Sequence, residues 1–249
     1  DDTGIQDEFV GVMKGVIWKI HPTVQIADIT HAVQPQNILH GAIILGRAYR
    51  YFPPGTIHIA VVDPGVGTNR RGLIARAGDQ FFVGPDNGLF TVPFSSGVPV
   101  EVYALENTQL QLQTISSTFH GRDIFAPAAA FLANGTPLSA FGPKINNPIS
   151  IETPVPMRIG NVIEGQILYS DTFGNLVTNI TRTDLADEVV QEIRCGGQRI
   201  HGISTTFGSA RPGELVAIFD SGDALSLCVV NGNARQHLGP AKKVELKLK

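Results

Sequence analysis

Apolar residues recur at helical spacing near the start of the chain. In "DEFVGVMKGVIWKIHP", Val10, Met13, Val16 and Ile20, joined by Ile17, share one face. The pattern predicts a helix that Pro22 closes. "TVQIADIT" reads as a strand. "QPQNILHGAIILGRAYRYFPPGT" reads as a second helix ended by Pro53, Pro54 and Gly55, and "IHIAVVD" as the next strand. "GLIARAGDQFFVGPDNGLF" has the pattern of a hairpin followed by a turn, and "GRDIFAPAAAFLANG" that of a third helix. Strands alternating with helices predict an α/β domain, residues 1–145, with a mainly parallel central sheet.

From about residue 143 the texture changes. "PKINNPISIETPVPMRIGN" is proline-rich and aperiodic, so residues 146–161 are expected to be a linker. Short β-like runs separated by glycine and polar turns follow, among them "ELVAIFDS", "ALSLCVVNG" and "KKVELKLK". They predict a smaller all-β domain over residues 162–249, closed as a barrel.

Composition narrows the classes. Hydrophobic residues make up 43% of the 249 and charged residues 16%, with a formal charge of −3. This is a core-rich globular chain. It has no basic block beyond the "AKKVELKLK" tail, which reads as a solvated last strand, so nucleic acid is not an expected partner. No run of about 18 apolar residues suggests a membrane span, and no signal peptide is visible. Cys195 and Cys228 lie in strand-like stretches outside any C-x-x-C pattern. They are expected to be buried thiols of a cytoplasmic protein, with neither a disulfide framework nor a zinc site.

Four stretches carry candidate chemistry. In "VVDPGVGTNRR" a buried strand stops at Asp63, and a glycine-permitted loop leads to Arg70. This is either a paired site or a turn cap with a surface arginine. It is not a phosphate loop, because the Gly-Lys-Ser/Thr ending is absent. "VGPDNGLF" is a strong turn signature. In "STFHGRDIFAP", His120 and Asp123 could ligate a metal, or the aspartate could start a helix. "SDTFGNLVTNI" could be a plain turn, or could hold a planar polar ligand with its aromatic ring and asparagine.

Taken together, "DDTGIQDEFVGVMKGVI", "IADITHAVQPQNILHGA", "YFPPGTIHIAVVDPGVGTNRR", "FVGPDNGLF", "HGRDIFAPAAA", "DTFGNLVTNI" and "SGDALSLCVVNGNA" resemble the S-adenosylmethionine (SAM) hydroxide adenosyltransferase family, related to the SAM-dependent fluorinase and chlorinase. The resemblance runs in order through both expected domains. It implies hydrolysis of SAM to adenosine and L-methionine by attack of water on ribose C5′, with SAM as substrate and neither cofactor nor metal. It implies a triad, here Asp63, Arg70 and His120. Arg70 would stabilise developing hydroxide, His120 would accept or relay a proton, and Asp63 would orient the water or take its proton. The leaving thioether needs no proton, so the demand falls on water, with a pKa of about 15.7.

For substrate contacts the resemblance implies Asp2 on the ribose diol and Asp7 near the methionine ammonium. Asp171 and Ser221 would hold the amino-acid end. Phe173 and Asn175 would lie against adenine, Gln36 at a position where some relatives stack an aromatic ring, and Asn231 beside the adenine edge. It also implies an apolar strand ahead of "DDTG", whose C-terminal end would carry Asp2. A homotrimer is implied, with each site between the first domain of one subunit and the β domain of the next. Halogenases of the family lack the triad, and an anionic Asp63 would repel chloride or fluoride. The other readings are a SAM-dependent halogenase, a non-catalytic SAM- or adenosine-binding module, and a metallohydrolase using His120, Asp123 and Asp86.

Overall fold

The computed structural model describes residues 1–249. The chain divides into two compact units, Asp1–Glu152 and Thr153–Lys249. No helix is long and apolar enough to cross a membrane.

The first unit runs α1 (Phe9–Ile20), α2 (Ile38–Ala48), β1 (Ile57–Ile59), β2 (Gly72–Ala77), β3 (Gln80–Pro85), α3 (Thr91–Phe94), β4 (Val100–Ala104) and α4 (Ala126–Ala133). Asn37 starts α2 by accepting the His40 N–H at 2.9 Å. In the last turn of α2, a Cβ on Gly46 would lie 2.4 Å from Val92 Cγ1, so only glycine lets α2 approach α3 this closely. The sheet order is β1-β3-β2-β4.

This sheet corrects the expectation of a mainly parallel one, because only β1 and β3 pair in parallel. β2 and β3 meet through the two-residue turn Gly78–Asp79, which puts Ala77 opposite Gln80 and allows only an antiparallel pair. β4 adds antiparallel to β2.

The strand expected at Thr23–Thr30 is corrected as well. The segment is extended but joins no ladder. A cavity of about 1000 Å³ separates it from Ile57–Val62. A strand needs a neighbour at about 4.8 Å to satisfy its backbone, and this segment has none.

The third helix forms, but not from its first residue. Gly121–Phe125 is a π-helical turn, in which the Ala126 N–H bonds to the Gly121 carbonyl five residues back. Pro127 has no N–H with which to continue the tighter pattern. In α4 proper, Ala126 and Ala130 pack on Met13 and Ile17 of α1, while Ala128 and Ala129 join the cluster of Ile74, Val83 and Phe125 under the sheet. Small side chains let one helix be covered on two sides.

The second unit contains β5 (Met157–Ile159), β6 (Val162–Ser170), β7 (Leu176–Thr181), α5 (Arg182–Leu185), β8 (Val190–Cys195), β9 (Gln198–Ile200), β10 (Leu215–Phe219), β11 (Ala224–Val229), α6 (Ala234–Leu238) and β12 (Lys243–Leu248). The strands follow the path β10-β11-β7-β6-β12-β8-β9, with β5 pairing to β6 from within the proline-rich stretch. The ends of the path, β9 and β10, come into contact, so the sheet nearly closes. Its core holds Ile163, Ile180, Ile193, Leu225, Leu227, Val244 and Leu246. Cys195 and Cys228 are buried, unpaired thiols, pushed by burial up to about 11 and about 12.

Candidate active site

β1 ends at Ile59, and one further bond, Ala60 N–H to the Val83 carbonyl at 3.1 Å, carries the chain to the sheet's margin. Asn87 then donates through Nδ2 to the Val62 carbonyl at 2.8 Å, fixing the peptide just ahead of Asp63. The loop from Asp63 to Arg70 folds back on itself through Val66 N–H to the Asp63 carbonyl and Thr68 Oγ1 to the Gly65 carbonyl. At Gly67, φ is +76° and a Cβ would lie 2.2 Å from the Ser117 carbonyl oxygen. The close approach and the left-handed backbone both require glycine there.

The fold-back brings Arg70 onto Asp63. Arg70 Nε donates to Oδ1 at 2.8 Å and to Oδ2 at 2.9 Å, and Nη2 closes a further short bond to Oδ2. Both side chains are nearly buried, at 11% and 5% exposure. The guanidinium carbon stands 5.3 Å from the centre of the Phe125 ring. Arg70 Nη2 also lies 2.8 Å from His120 Nδ1. Arginine has no acceptor, so His120 Nδ1 must accept and the neutral ring carries its proton on Nε2. Burial, and then the positive charge of Arg70, lower the His120 pKa, against Asp63, Asp123 and a hydrogen bond with the Ser116 backbone, which raise it. His120 is therefore a neutral imidazole at pH 7.

A hollow of about 330 Å³ opens beside the triad. Asp63 and His120 line it together with Asp2, Gln36, Phe9 and Phe119. The two phenylalanine rings meet edge to face at 5.1 Å. Asp2 Oδ2 accepts the Gln36 N–H at 2.8 Å, and Gln36 has φ +63°. Of the site residues expected in this unit, Arg70 lies behind Asp63 and does not line the hollow, and Asp7 stands outside it, exposed to solvent. The larger 1000 Å³ cavity contains none of the triad.

Asp86 and Asp123, the carboxylates of the metallohydrolase reading, do not converge on His120. Asp86 accepts from Arg71 Nε at 2.8 Å and from Ile149 N–H at 2.7 Å. Asp123 accepts from Ser116 N–H at 2.7 Å and from Arg122. No three His, Cys, Asp or Glu side chains gather where they could hold a metal ion.

In the second unit, Asp171 Oδ1 accepts the N–H groups of Phe173 and Asn175 at 2.9 Å each, and Oδ2 accepts Asn175 Nδ2 at 2.9 Å. This turn leaves Phe173 76% exposed. Gly174, at φ +84°, packs on Asn233, the residue that caps α6. Ser221 lies in the turn between β10 and β11, and Asn231, at φ +51°, follows β11; both are exposed. The negative charges of Asp171 and Asp220 add to burial in raising the Cys228 thiol pKa.

Asn87 and Ser116 escaped a role in the sequence reading, and Asp123 reads there as a metal ligand or helix start, whereas it binds the Ser116 N–H. Asn87 was legible as part of a turn and Asp123 as a helix start, but the groups they bind lie 25 and 7 positions away.

A nearly buried carboxylate, a guanidinium and a neutral imidazole, joined at a strand end beside a hollow, are the candidate active site of a two-unit α/β enzyme. The chain matches the SAM hydroxide adenosyltransferase N-terminal domain over residues 1–142 and the C-terminal domain over residues 165–246, and it belongs to that family. It is 36% identical over 254 residues to the (R)-S-adenosyl-L-methionine hydrolase of Thermus thermophilus, covering 99% of this chain and 96% of that protein. The hydrolase of the same name from Salinispora tropica is 39% identical over 245 residues, 96% and 91% of the two chains. A fluorinase of an Actinoplanes species is 30% identical over 211 residues, 74% and 71%. The crystal structure of a conserved protein from Thermotoga maritima superposes with a TM-score of 0.91 at 37% identity, covering 99% of this chain and 97% of that one.

Proposed function

We propose that this protein hydrolyses SAM to adenosine and L-methionine. The observation that carries the reading is the hydrogen-bonded set Asp63–Arg70–His120 beside the hollow. The hydrolases it resembles support the reaction, and their name supports preference for the R epimer at the sulfonium.

The chemistry runs as one displacement. A water oxygen bonds to ribose C5′ while the C5′–S bond breaks and its electron pair leaves with sulfur as a neutral thioether. The water proton passes to Asp63. His120 has its Nδ1 lone pair engaged by Arg70, whereas Asp63 Oδ1 takes one bond from Arg70 and keeps a lone pair. Asp63 is thus the proton acceptor, Arg70 the fixed cation that steadies the developing negative charge, and His120 the neutral support that holds Arg70 in place. No step calls on a metal or cofactor.

Asp2 and Gln36 would meet the ribose side of the substrate, with Asp7 near its ammonium. Asp171, Phe173, Asn175, Ser221 and Asn231 would grip adenine and the amino-acid end, supplied by a neighbouring copy in a homotrimer. The exposed Phe173 supports that assignment, since the ring gains cover only from a ligand or partner. The reading puts the protein in the cytoplasm, in keeping with two unpaired buried thiols.

Halide is the competing nucleophile, as the fluorinase relatives prompt. The negative charge of Asp63 at the point of attack disfavours it. The test is incubation with each sulfonium epimer in ¹⁸O-labelled water, with and without chloride, fluoride or EDTA. Adenosine labelled at O5′ and unaffected by EDTA is expected. A 5′-halo product would place the chain among the halogenases, and bound but unreacted SAM would make it a binding module.

A further inference from the structure

We propose that His40 is a positioning residue for the ribose end of the site, its Nδ1 holding the Gln34–Asn37 turn that presents the Gln36 N–H to Asp2. Its effect on substrate rests on the hydrolase reading; its effect on the turn does not.

The turn is a strained one. Gln36 has φ +63°, a left-handed conformation that a glutamine adopts only when its surroundings impose it. In that conformation its N–H is given to Asp2 Oδ2 at 2.8 Å. Asp2 and Gln36 both line the hollow beside the triad. Pro35 fixes one dihedral of the turn, and hydrogen bonds must set the rest. Gln34 is bonded at three groups. Its carbonyl accepts the Asn37 N–H at 3.0 Å, its Oε1 accepts Asn37 Nδ2 at 3.1 Å, and its N–H is donated to His40 Nδ1 at 3.1 Å. His40 is the third residue of α2, the place from which a capping-box glutamate reaches back to the N–H of the cap residue. His40 reaches three residues further, to Gln34. Its own N–H is held by Asn37 Oδ1 at 2.9 Å, so ring and cap secure the turn together. The Gln34 N–H needs an acceptor, so His40 Nδ1 is the unprotonated ring nitrogen. Burial lowers the His40 pKa, and the ring is neutral at pH 7.

The anchor matters because a carboxylate free to rotate must be ordered when it meets a diol, and that ordering weakens binding. With Oδ2 already engaged by Gln36, Asp2 is set before the substrate arrives. In the proposed reaction Asp2 meets the ribose hydroxyls and takes no proton, so losing its anchor weakens the bound substrate and the transition state alike. His40 does not itself line the hollow, so it acts through the turn.

The experiment compares the wild type with His40→Leu and His40→Asn. Leucine has no acceptor, whereas asparagine places Oδ1 where the ring has Nδ1. Solvent exchange of the Gln34 and Gln36 amides, read by NMR, should quicken roughly tenfold in His40→Leu and stay at the wild-type rate in His40→Asn. The Leu45 amide, later in α2, should keep its protection in both. KM for SAM should rise roughly fivefold in His40→Leu with kcat within about twofold, and His40→Asn should restore KM. If His40→Leu does not fold, an ester in place of the Gln34 amide removes the same bond from the donor side and is read at the Gln36 amide. Unchanged Gln36 exchange in His40→Leu overturns the proposal. Equally fast exchange at Leu45 also overturns it, since the whole helix would then be loosened. So does a His40→Asn protein that behaves like His40→Leu, which would mean that the bulk of the ring matters and its acceptor does not. Faster Gln36 exchange with unchanged KM keeps the hold of His40 on the turn and instead overturns the part of Asp2 in binding SAM. A wild type without SAM turnover would count against the hydrolase reading, and the exchange rates would still decide the role of His40.

Discussion

Replacing Arg70 with lysine keeps the charge and removes the fork. Arg70 bonds both oxygens of Asp63 and the Nδ1 of His120 from one planar group while lying against Phe125. A lysine ammonium is a point on a flexible stem, and from the same backbone it can satisfy one of these partners well. At least two contacts to Arg70 are lost. Charge-assisted bonds are worth about 1.5–3 kcal/mol each. With partial replacement by water, a lower bound of about 3 kcal/mol remains. If that support acts on the developing charge, kcat falls on the order of 150-fold. KM should change little, because Arg70 lies beneath Asp63 and does not itself line the hollow. The assay is adenosine release at saturating SAM, with folding checked by thermal melting. An Arg70→Lys protein that folds and keeps more than a third of the wild-type kcat would refute the fork as the source of rate.

Other outcomes can be checked with simple measurements. His40, His58 and His120 all have pKa values lowered first by burial from the ordinary 6.5. The unfolded chain then binds more protons than the folded one below that pH. Stability should hold above pH 6.5 and fall as the pH drops beneath it, seen as a declining Tm between pH 7 and 5.5; a flat Tm would contradict the burial argument. Gly67→Ala puts a Cβ 2.2 Å from the Ser117 carbonyl oxygen at a φ of +76°. The left-handed conformation alone costs about 1 kcal/mol, and the clash must shift the loop, so turnover should drop at least tenfold while the second unit melts as before. Asn87→Ala removes the donor to the Val62 carbonyl, and a loss of about 1–3 kcal/mol in stability, read by urea titration, is expected. A neutral effect would mean that water replaces Asn87 fully.

The elements most open to sequence reading were those whose cause is local. The apolar stripe of α1, the Asn37 cap and the Gly78 turn each rest on neighbours within a few positions. Thr23–Thr30 has strand-like side chains, but a strand also needs a partner, and composition carries no word of one. The sheet's direction was misjudged for a related reason: the alternation of elements suggested crossovers, while a two-residue turn imposed an antiparallel pair. The Asp63–Arg70 pairing could be glimpsed from spacing alone. His120 joined them only through resemblance, since a gap of 50 positions from Arg70 leaves no periodic trace. The work of Asn87 and Asp123 stayed hidden because the residues that make a good turn or helix start are the same ones that can reach out and hold another loop.

The π-helical turn at Gly121–Phe125 has an evolutionary consequence. A five-residue step differs from an α-helical one by a single inserted residue, and each residue of an α-helix turns the chain by about 100°. Deleting one position there would let the turn relax to ordinary winding. The alanine-packed body of α4 would stay where it is, but residue 120 would swing about a quarter of the way round and away from Arg70. One codon gained or lost could thus connect or disconnect the imidazole without disturbing the scaffold. For a chain whose relatives include both hydrolases and fluorinases, that is a short mutational path between a coupled imidazole and an uncoupled one.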